Sequence, residues 1–299
     1  MRRLIHRFVS VETVAVLVLA WLAGALALGL ATSSGATATV ALMALGLLVG
    51  GVLLLIRHSL DLAARIGNLG TESQRTLGTV RRIESRLGTE LKQTFRQVEA
   101  ITNLSAMLPT SEVLPATRGW AASPDLLLVL VDRVITQRPS LIVECGSGAS
   151  TLWLALALRR FGIDGRIVSL DHDPVFADKT RGFLARHGVS DLVDVRDAPL
   201  EDFSLAGGTY SWYARRAWED LSGIDLLFVD GPPAATGDKA RYPALVLLSQ
   251  ALSPSATVVL DDLVVPDMQD TLRLWLDAYP DLGSEILPLE KQAALLRKG

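Results

Sequence analysis

The chain has 299 residues, 49 % of them hydrophobic, a formal net charge of −3 and one cysteine, Cys145. That length holds one full α/β domain with segments to spare, and the hydrophobic share is high for a chain that is soluble throughout. A single cysteine excludes an intramolecular disulfide.

The excess apolar residues lie in the first sixty positions. Two runs with almost no charge, Thr13 to Ala31 and Ala36 to Ile56, are separated only by Thr32, Ser33, Ser34 and Gly35. Each has about the ~20 residues that a helix needs to cross hydrocarbon. The expectation is a transmembrane hairpin over residues 1–58, with spans near 13–31 and 36–56. Two buried core helices are the alternative, which so short a linker disfavours. Arg2, Arg3 and Arg7 precede the first run, Arg57 and Arg65 follow the second, and the loop carries no basic residue. The cell membrane would then be crossed twice, with both ends cytoplasmic. Were the first run a cleaved signal peptide, the second would act as a stop-transfer segment and the C-terminal portion would still face inward.

Over residues 59–108, Leu77, Val80, Ile83, Leu87, Leu91, Phe95, Val98, Ile101 and Leu104 recur every three or four positions between charges, the pattern of a long amphipathic helix. Such a stalk is compatible with a coiled coil and hence a homodimer, although Gly67, Gly70, Gly78 and Gly88 weaken it and the heptad is not strict. Residues 57–105 carry eight Lys/Arg against five Asp/Glu, and residues 106–299 eighteen against twenty-six. A basic stalk suits anionic headgroups, and an acidic domain argues against a nucleic-acid substrate.

Pro109 and Pro115 mark a linker, and Ser123-Pro124-Asp125 reads as N-cap, first-turn proline and acidic first turn. Within 109–299, strand-like runs at 141–144, 166–170, 192–196, 224–229 and 257–260 alternate with helix-compatible stretches. That alternation predicts parallel strands with crossover helices, a doubly wound Rossmann-like sheet. SEILPL and QAALLRK, separated by only a turn, read as a closing antiparallel hairpin, an ending foreign to nicotinamide-binding sheets.

LIVECGSGAST places Glu144 at the end of a buried strand, then Gly146 and Gly148 in a turn that opens a helix. Nicotinamide enzymes usually carry G-x-G-x-x-G here with a diphosphate at the helix N-terminus. Thr151 stands where the third glycine would be, and a carboxylate before the turn suits a cation, such as S-adenosylmethionine, better than a diphosphate. Glycines that merely make a tight turn are the plainer reading. RIVSLDHDP ends in Asp171, twenty-seven residues after Glu144, where a carboxylate can accept both ribose hydroxyls. His172 lies either beside an adenine or in a solvent-exposed turn, and Asp197 either accepts from an adenine amino group or is an exposed turn residue. IDLLFVDGPP stops at Asp230, and ATVVLDDL places Asp261 and Asp262 at the same edge. Three such carboxylates can hold Mg²⁺ and activate a substrate hydroxyl; a helix cap from Asp261 or Asp262 is the alternative.

This pattern resembles the class I S-adenosylmethionine-dependent methyltransferases over roughly residues 118–299. The resemblance implies a seven-stranded sheet, with donor bound by Glu144, Gly146, Gly148 and Asp171 and, more loosely, Asp197. Within that class, Asp230, Asp261 and Asp262 look like the metal site of the catechol O-methyltransferase type, where the last position is usually asparagine. Lys239, Arg241 and Tyr242 look like the lysine, arginine and tyrosine that follow the first metal acid there, which would make Lys239 the general base. The stretch GPPAATGD sets Lys239 further from Asp230, and a solvated loop lysine is the competing reading. RGWAASPD resembles the entry to bacterial methyltransferase-like domains in which Arg118 and Trp120 would form a lid, while Trp120 packed in the core is the stronger expectation.

The combined expectation is a membrane-anchored methyltransferase acting on an oxygen of a small-molecule, glycan or lipid-linked acceptor, with Asp230 and Lys239 as catalytic candidates. Trp212, Tyr213 and Trp218 in a 201–222 loop would either stack on an acceptor or pack the loop down. The rivals are a nicotinamide-dependent oxidoreductase and a non-catalytic membrane scaffold.

Overall fold

A computed structural model describes residues 11–31 and 36–298. Arg2, Arg3, Arg7 and the short loop between the apolar runs lie outside the described residues. The chain divides into two compact units, Met1–Gly88 and Thr89–Gly299.

In the first unit, α1 (Val11–Ala31) is apolar all round, and α2 (Ala36–Met107) begins as its neighbour and continues unbroken through all four stalk glycines. Gly46 and Gly50, one turn apart, face Trp21 and Val18, and a Cβ at either position would collide with those side chains. Trp21 Nε1 donates to the Leu42 carbonyl at 2.9 Å. Small residues four apart are how helices approach closely in an apolar setting. Leu17, Leu30, Leu48 and Leu55 stay exposed. By length and composition α2 is the one helix among the described residues able to cross a membrane, and the apolar stretch Glu12–Leu28 of α1 is shorter.

In the second unit, the last turns of α2 join the core through Ala100 and Leu104, so that unit begins within the stalk helix rather than at Pro109. The elements that follow are α3 (Pro124–Gln137), β1 (Leu141–Cys145), α4 (Ala149–Arg160), β2 (Arg166–Asp171), α5 (Pro174–Arg186) and β3 (Val193–Asp197). Then come β4 (Leu200–Leu205), β5 (Gly208–Tyr213), β6 (Ile224–Val229), α6 (Pro243–Leu248), β7 (Leu252–Leu260), α7 (Pro266–Ala278), β8 (Leu282–Leu287) and β9 (Ala293–Lys298). The seven-stranded sheet has the order β3-β2-β1-β6-β7-β9-β8. It is parallel as far as β7, and β9 and β8 close it antiparallel.

Period-two side-chain alternation splits the core in two. Ile142, Ile167, Leu226 and Phe228 meet α3, α4 and α5, with Trp153 fully buried among them. Val143, Leu170, Leu227 and Val229 face the other way, toward α6, α7, Trp212 and Trp275. Ser123 caps α3 differently from expectation, because its hydroxyl donates to Asp125 Oδ1 at 2.5 Å and accepts no hydrogen bond from the backbone N–H groups of the first turn.

One departure matters for function. Residues 200–213 form a separate two-stranded antiparallel sheet, β4-β5, where a loop was expected. Trp212 and Tyr213 are fully buried and Trp218 nearly so, with Trp212 and Trp218 centroids 5.7 Å apart. These aromatics pack the segment onto the sheet and offer no exposed stacking surface.

Gly165 precedes β2 where a Cβ would strike the Pro139 carbonyl oxygen, a backbone atom that cannot swing aside. Gly165→Ala should therefore destabilise this domain by about 1–3 kcal/mol, read from tryptophan-monitored denaturation of the chain in micelles. An unchanged midpoint would contradict the packing.

Candidate active site

The strand order reverses between β1 and β6, which opens a crevice at the carboxyl ends of the strands. Hydrogen bonds carry the ladder one step past each strand: Gly146 N to Leu170 O at 2.9 Å, Asp230 N to Cys145 O at 3.0 Å, and Asp261 N to Val229 O at 3.1 Å. These steps set the acids along one edge.

The β1–α4 turn is built on a buried carboxyl. Gly146 has φ +98°, a backbone conformation that favours glycine, and it packs directly against Gly231. Thr151 accepts from Gly148 N at 2.9 Å and donates to Glu144 Oε2, while Ser169 Oγ donates to the same oxygen at 3.0 Å. Thr151 thus has a positive role where a dinucleotide fingerprint carries glycine. Glu144 is wholly buried, and burial pushes its carboxyl up to about 7 against the hydrogen bonds from Ser150, Thr151 and Ser169. Its Oε1 has no hydrogen-bond partner among the described residues. Glu144 therefore supports the loop from beneath, a role beyond the cation-facing one expected from its place before the turn.

Asp171 ends β2 and leans onto that loop. Its Oδ2 accepts from Ser147 N at 3.2 Å and Ser147 Oγ at 2.5 Å, and its Oδ1 from Asp173 N at 3.0 Å. Ser147, the variable residue between the glycines, drew no attention in the sequence although its spacing made it the natural partner. His172 Nδ1 stands 3.7 Å from Asp171 Oδ1. Asp197 sits opposite Asp171 in the β2–β3 register, more exposed, and pairs with Arg181 at 2.8 Å.

Across the switch point, Asp230, Asp261 and Asp262 come together, with one carboxylate oxygen from each within 4.8 Å of the others. Arg241 Nη2 lies 3.1 Å from Asp230 and 2.8 Å from Asp262, and its Nη1 donates to the Asp261 carbonyl at 3.2 Å. Lys291 Nζ lies 3.2 Å from Asp262. Burial raises the carboxyls of Asp230, to about 7, and of Asp261, well above the usual range; Arg241 and Lys291 oppose this. Three oxygen donors match what Mg²⁺ takes, but a guanidinium already bridges Asp230 and Asp262, and an ammonium holds the second oxygen of Asp262, so the residues present do not fit a metal ion.

Lys239 does not join this cluster. Its backbone N–H donates to Asp267 Oδ1 and Oδ2 at 3.0 and 2.9 Å, and among the described residues the cations paired with the cluster are Arg241 and Lys291. Lys291 comes from the β8–β9 turn, far from the acids in sequence, and no local motif marks it. Tyr213, expected either to stack on an acceptor or to pack its loop down, is buried against the crevice. Its hydroxyl stands 2.5 Å from where a Gly231 Cβ would be, beside the Cys145 carbonyl, with no hydrogen-bond partner among the described residues. The Gly207-Gly208 pair between alternating apolar residues was the hairpin signal that leads to it.

Trp120 is 87 % exposed rather than packed in the core. Its neighbour Arg118 makes a two-pronged ion pair with Glu290, and Lys291 donates to the Ala121 carbonyl, so the 118–121 segment is tied to the turn that delivers Lys291.

A seven-stranded sheet of this order, closed by an antiparallel hairpin and carrying acids at the ends of β1, β2, β6 and β7, defines a Rossmann-like domain of the class I methyltransferase type. Residues 143–263 match the family model of a methyltransferase domain. The chain is 30 % identical over 165 residues to a catechol O-methyltransferase of Mycobacterium tuberculosis, spanning 54 % of this chain and 64 % of that protein. It is 27 % identical over 128 residues to a catechol O-methyltransferase of Niastella koreensis, spanning 42 % and 50 % respectively. The matches thus cover less than two thirds of either relative. A methyltransferase structure from Geobacter sulfurreducens is similar over 72 % of this chain and 96 % of its own, at 18 % identity and a TM-score of 0.48.

Because the folded Glu144 carboxyl holds its proton up to about pH 7 and a free carboxyl only to about 4.5, the folded state binds the extra proton between those values. Stability from this group is present below that window and lost as pH rises through it, by about 3 kcal/mol in all. Glu144→Gln should flatten the fall in stability between pH 5 and pH 8 measured by denaturation. An unaltered slope would refute the assignment.

Proposed function

We propose that this chain is a membrane-anchored enzyme that transfers the methyl group of S-adenosylmethionine to a hydroxyl oxygen. The observation that carries this reading is the pairing, on either side of the β1–β6 crevice, of the Gly146–Ser147–Gly148 turn leaning on Asp171 with the Asp230 cluster. The oxygen acceptor is supported by the likeness to two catechol O-methyltransferases.

In this reading the glycine turn lets the donor approach the backbone, and Asp171 accepts from its ribose hydroxyls, with His172 and Asp197 flanking the adenosyl end. The acceptor oxygen attacks the methyl carbon in line. The carbon–oxygen bond forms as the carbon–sulfur bond breaks, and sulfur leaves with the electron pair as a neutral thioether. The acceptor proton passes to Asp230. Positioning supplies most of the acceleration, since the reaction asks chiefly for collinear approach.

The anchor rests on an 18-residue window of α2 with a mean hydropathy of 2.6, only 11 % of it buried, and on Arg57 and Arg65 following the apolar run. It places the domain on the cytoplasmic face and favours a lipid-linked or cell-envelope acceptor over a freely diffusing one. The exposed Leu77, Val80, Leu87 and Leu91 support self-association through the stalk.

Asp171→Ala should weaken S-adenosylmethionine binding about 10- to 100-fold, as expected when a buried carboxylate with two charge-assisted hydrogen bonds is lost. Asp230→Ala should leave that affinity within about twofold while abolishing methylation of a lipid or glycan extract by labelled donor. Donor affinity untouched by Asp171→Ala would remove the pocket assignment. The anchor is checked separately: the protein should stay with membranes through alkaline carbonate extraction, and release into the supernatant would overturn it.

A further inference from the structure

We infer that Arg241 and Lys291 are a built-in cation pair that takes the place of a divalent metal in the Asp230–Asp261–Asp262 cluster, making acceptor binding independent of metal. This deepens the reading of that cluster as the acceptor end of the crevice.

The argument begins with what surrounds the three carboxylates. Arg241 is buried, and one of its nitrogens, Nη2, lies within ion-pairing distance of both Asp230 and Asp262. A metal ion bridging those two carboxylates would need the space that this nitrogen fills. Its companion Nη1 is fixed by the Asp261 carbonyl, so the guanidinium is held on two sides by the very segment that supplies two of the three acids. Lys291 takes the remaining oxygen of Asp262 and is itself tied to the Ala121 carbonyl.

Displacement would be costly. A guanidinium cannot shed its proton, and a buried charge stripped of its partners is strongly destabilising. Mg²⁺ also demands near-octahedral oxygen geometry and gives up its water reluctantly. A divalent ion would add its charge to two cations already facing three carboxylates. The cluster keeps polar capacity for a ligand nonetheless: Asp261 Oδ2 and Arg241 Nε are buried with no hydrogen-bond partner among the described residues. An acceptor atom and a donor atom left open in one cluster suit a hydroxyl, which can donate to one partner and accept from another. A fixed guanidinium then supplies the positive charge that steadies the oxygen as it reacts.

The probe is Mn²⁺ alone, followed by the loss of its free-ion electron paramagnetic resonance signal on adding the full chain in micelles. The wild type should take up no Mn²⁺ that is sensitive to Asp261→Asn, up to about 1 mM ion. The double variant Arg241→Met with Lys291→Met, its carboxylates freed, should gain a site at least about tenfold tighter. Uptake of one ion per wild-type chain that disappears in Asp261→Asn would overturn the inference without needing the double variant to fold. Uptake that persists in Asp261→Asn lies elsewhere and leaves it standing. S-adenosylmethionine binding, measured on the same wild-type sample, reports separately on the methyltransferase reading.

Discussion

The donor half of this domain hangs on one buried carboxyl group. Glu144 sits under the turn between β1 and α4, where burying a carboxylate without a counter-charge is unfavourable. The chain meets that cost with two hydroxyls, those of Thr151 and Ser169, directed at one oxygen. Thr151 is also the partner of the Gly148 N–H, so the same contact that satisfies the acid fixes the first turn of the helix. The glycine turn is then held from below by Glu144 and from the side by Asp171 through Ser147. Everything read as donor binding follows from that frame.

The other side of the crevice, across the switch point, is organised by the opposite sign of charge. Three aspartates at the ends of β6 and β7 would repel one another strongly in a buried setting, and Arg241 and Lys291 are what allow them to meet. The two sides of the crevice meet at Gly231, where a Cβ would collide with the Tyr213 hydroxyl and crowd the Cys145 carbonyl and Gly146 Cα. The β4-β5 hairpin, pinned by Trp212 and Trp218, exists in part to deliver that tyrosine.

Much of this was legible in the residues. The five parallel strands, the closing hairpin and the acids at strand ends follow from apolar runs that each stop at a carboxylate, a pattern a sheet edge imposes directly. The β4-β5 hairpin was hidden because its strands alternate with charge and carry small and aromatic residues in place of a continuous apolar run. Lys239 came from the family resemblance, against its wider spacing from Asp230. The structure shows that ion pairing is decided by distance in space, and Lys291, sixty-one residues after Asp230, reaches the cluster through a turn no motif marks. Trp120 was expected in the core ahead of a lid, yet its neighbour Arg118 is claimed by the pair with Glu290 and its ring is left outside.

The most direct measurement of the central claim is calorimetric titration of the wild-type chain, in micelles at neutral pH, with S-adenosylmethionine and in parallel with NAD⁺. The account predicts saturable binding of S-adenosylmethionine at one site per chain and no heat of binding for NAD⁺. Binding of NAD⁺, or the absence of any S-adenosylmethionine binding at millimolar concentration, would contradict it.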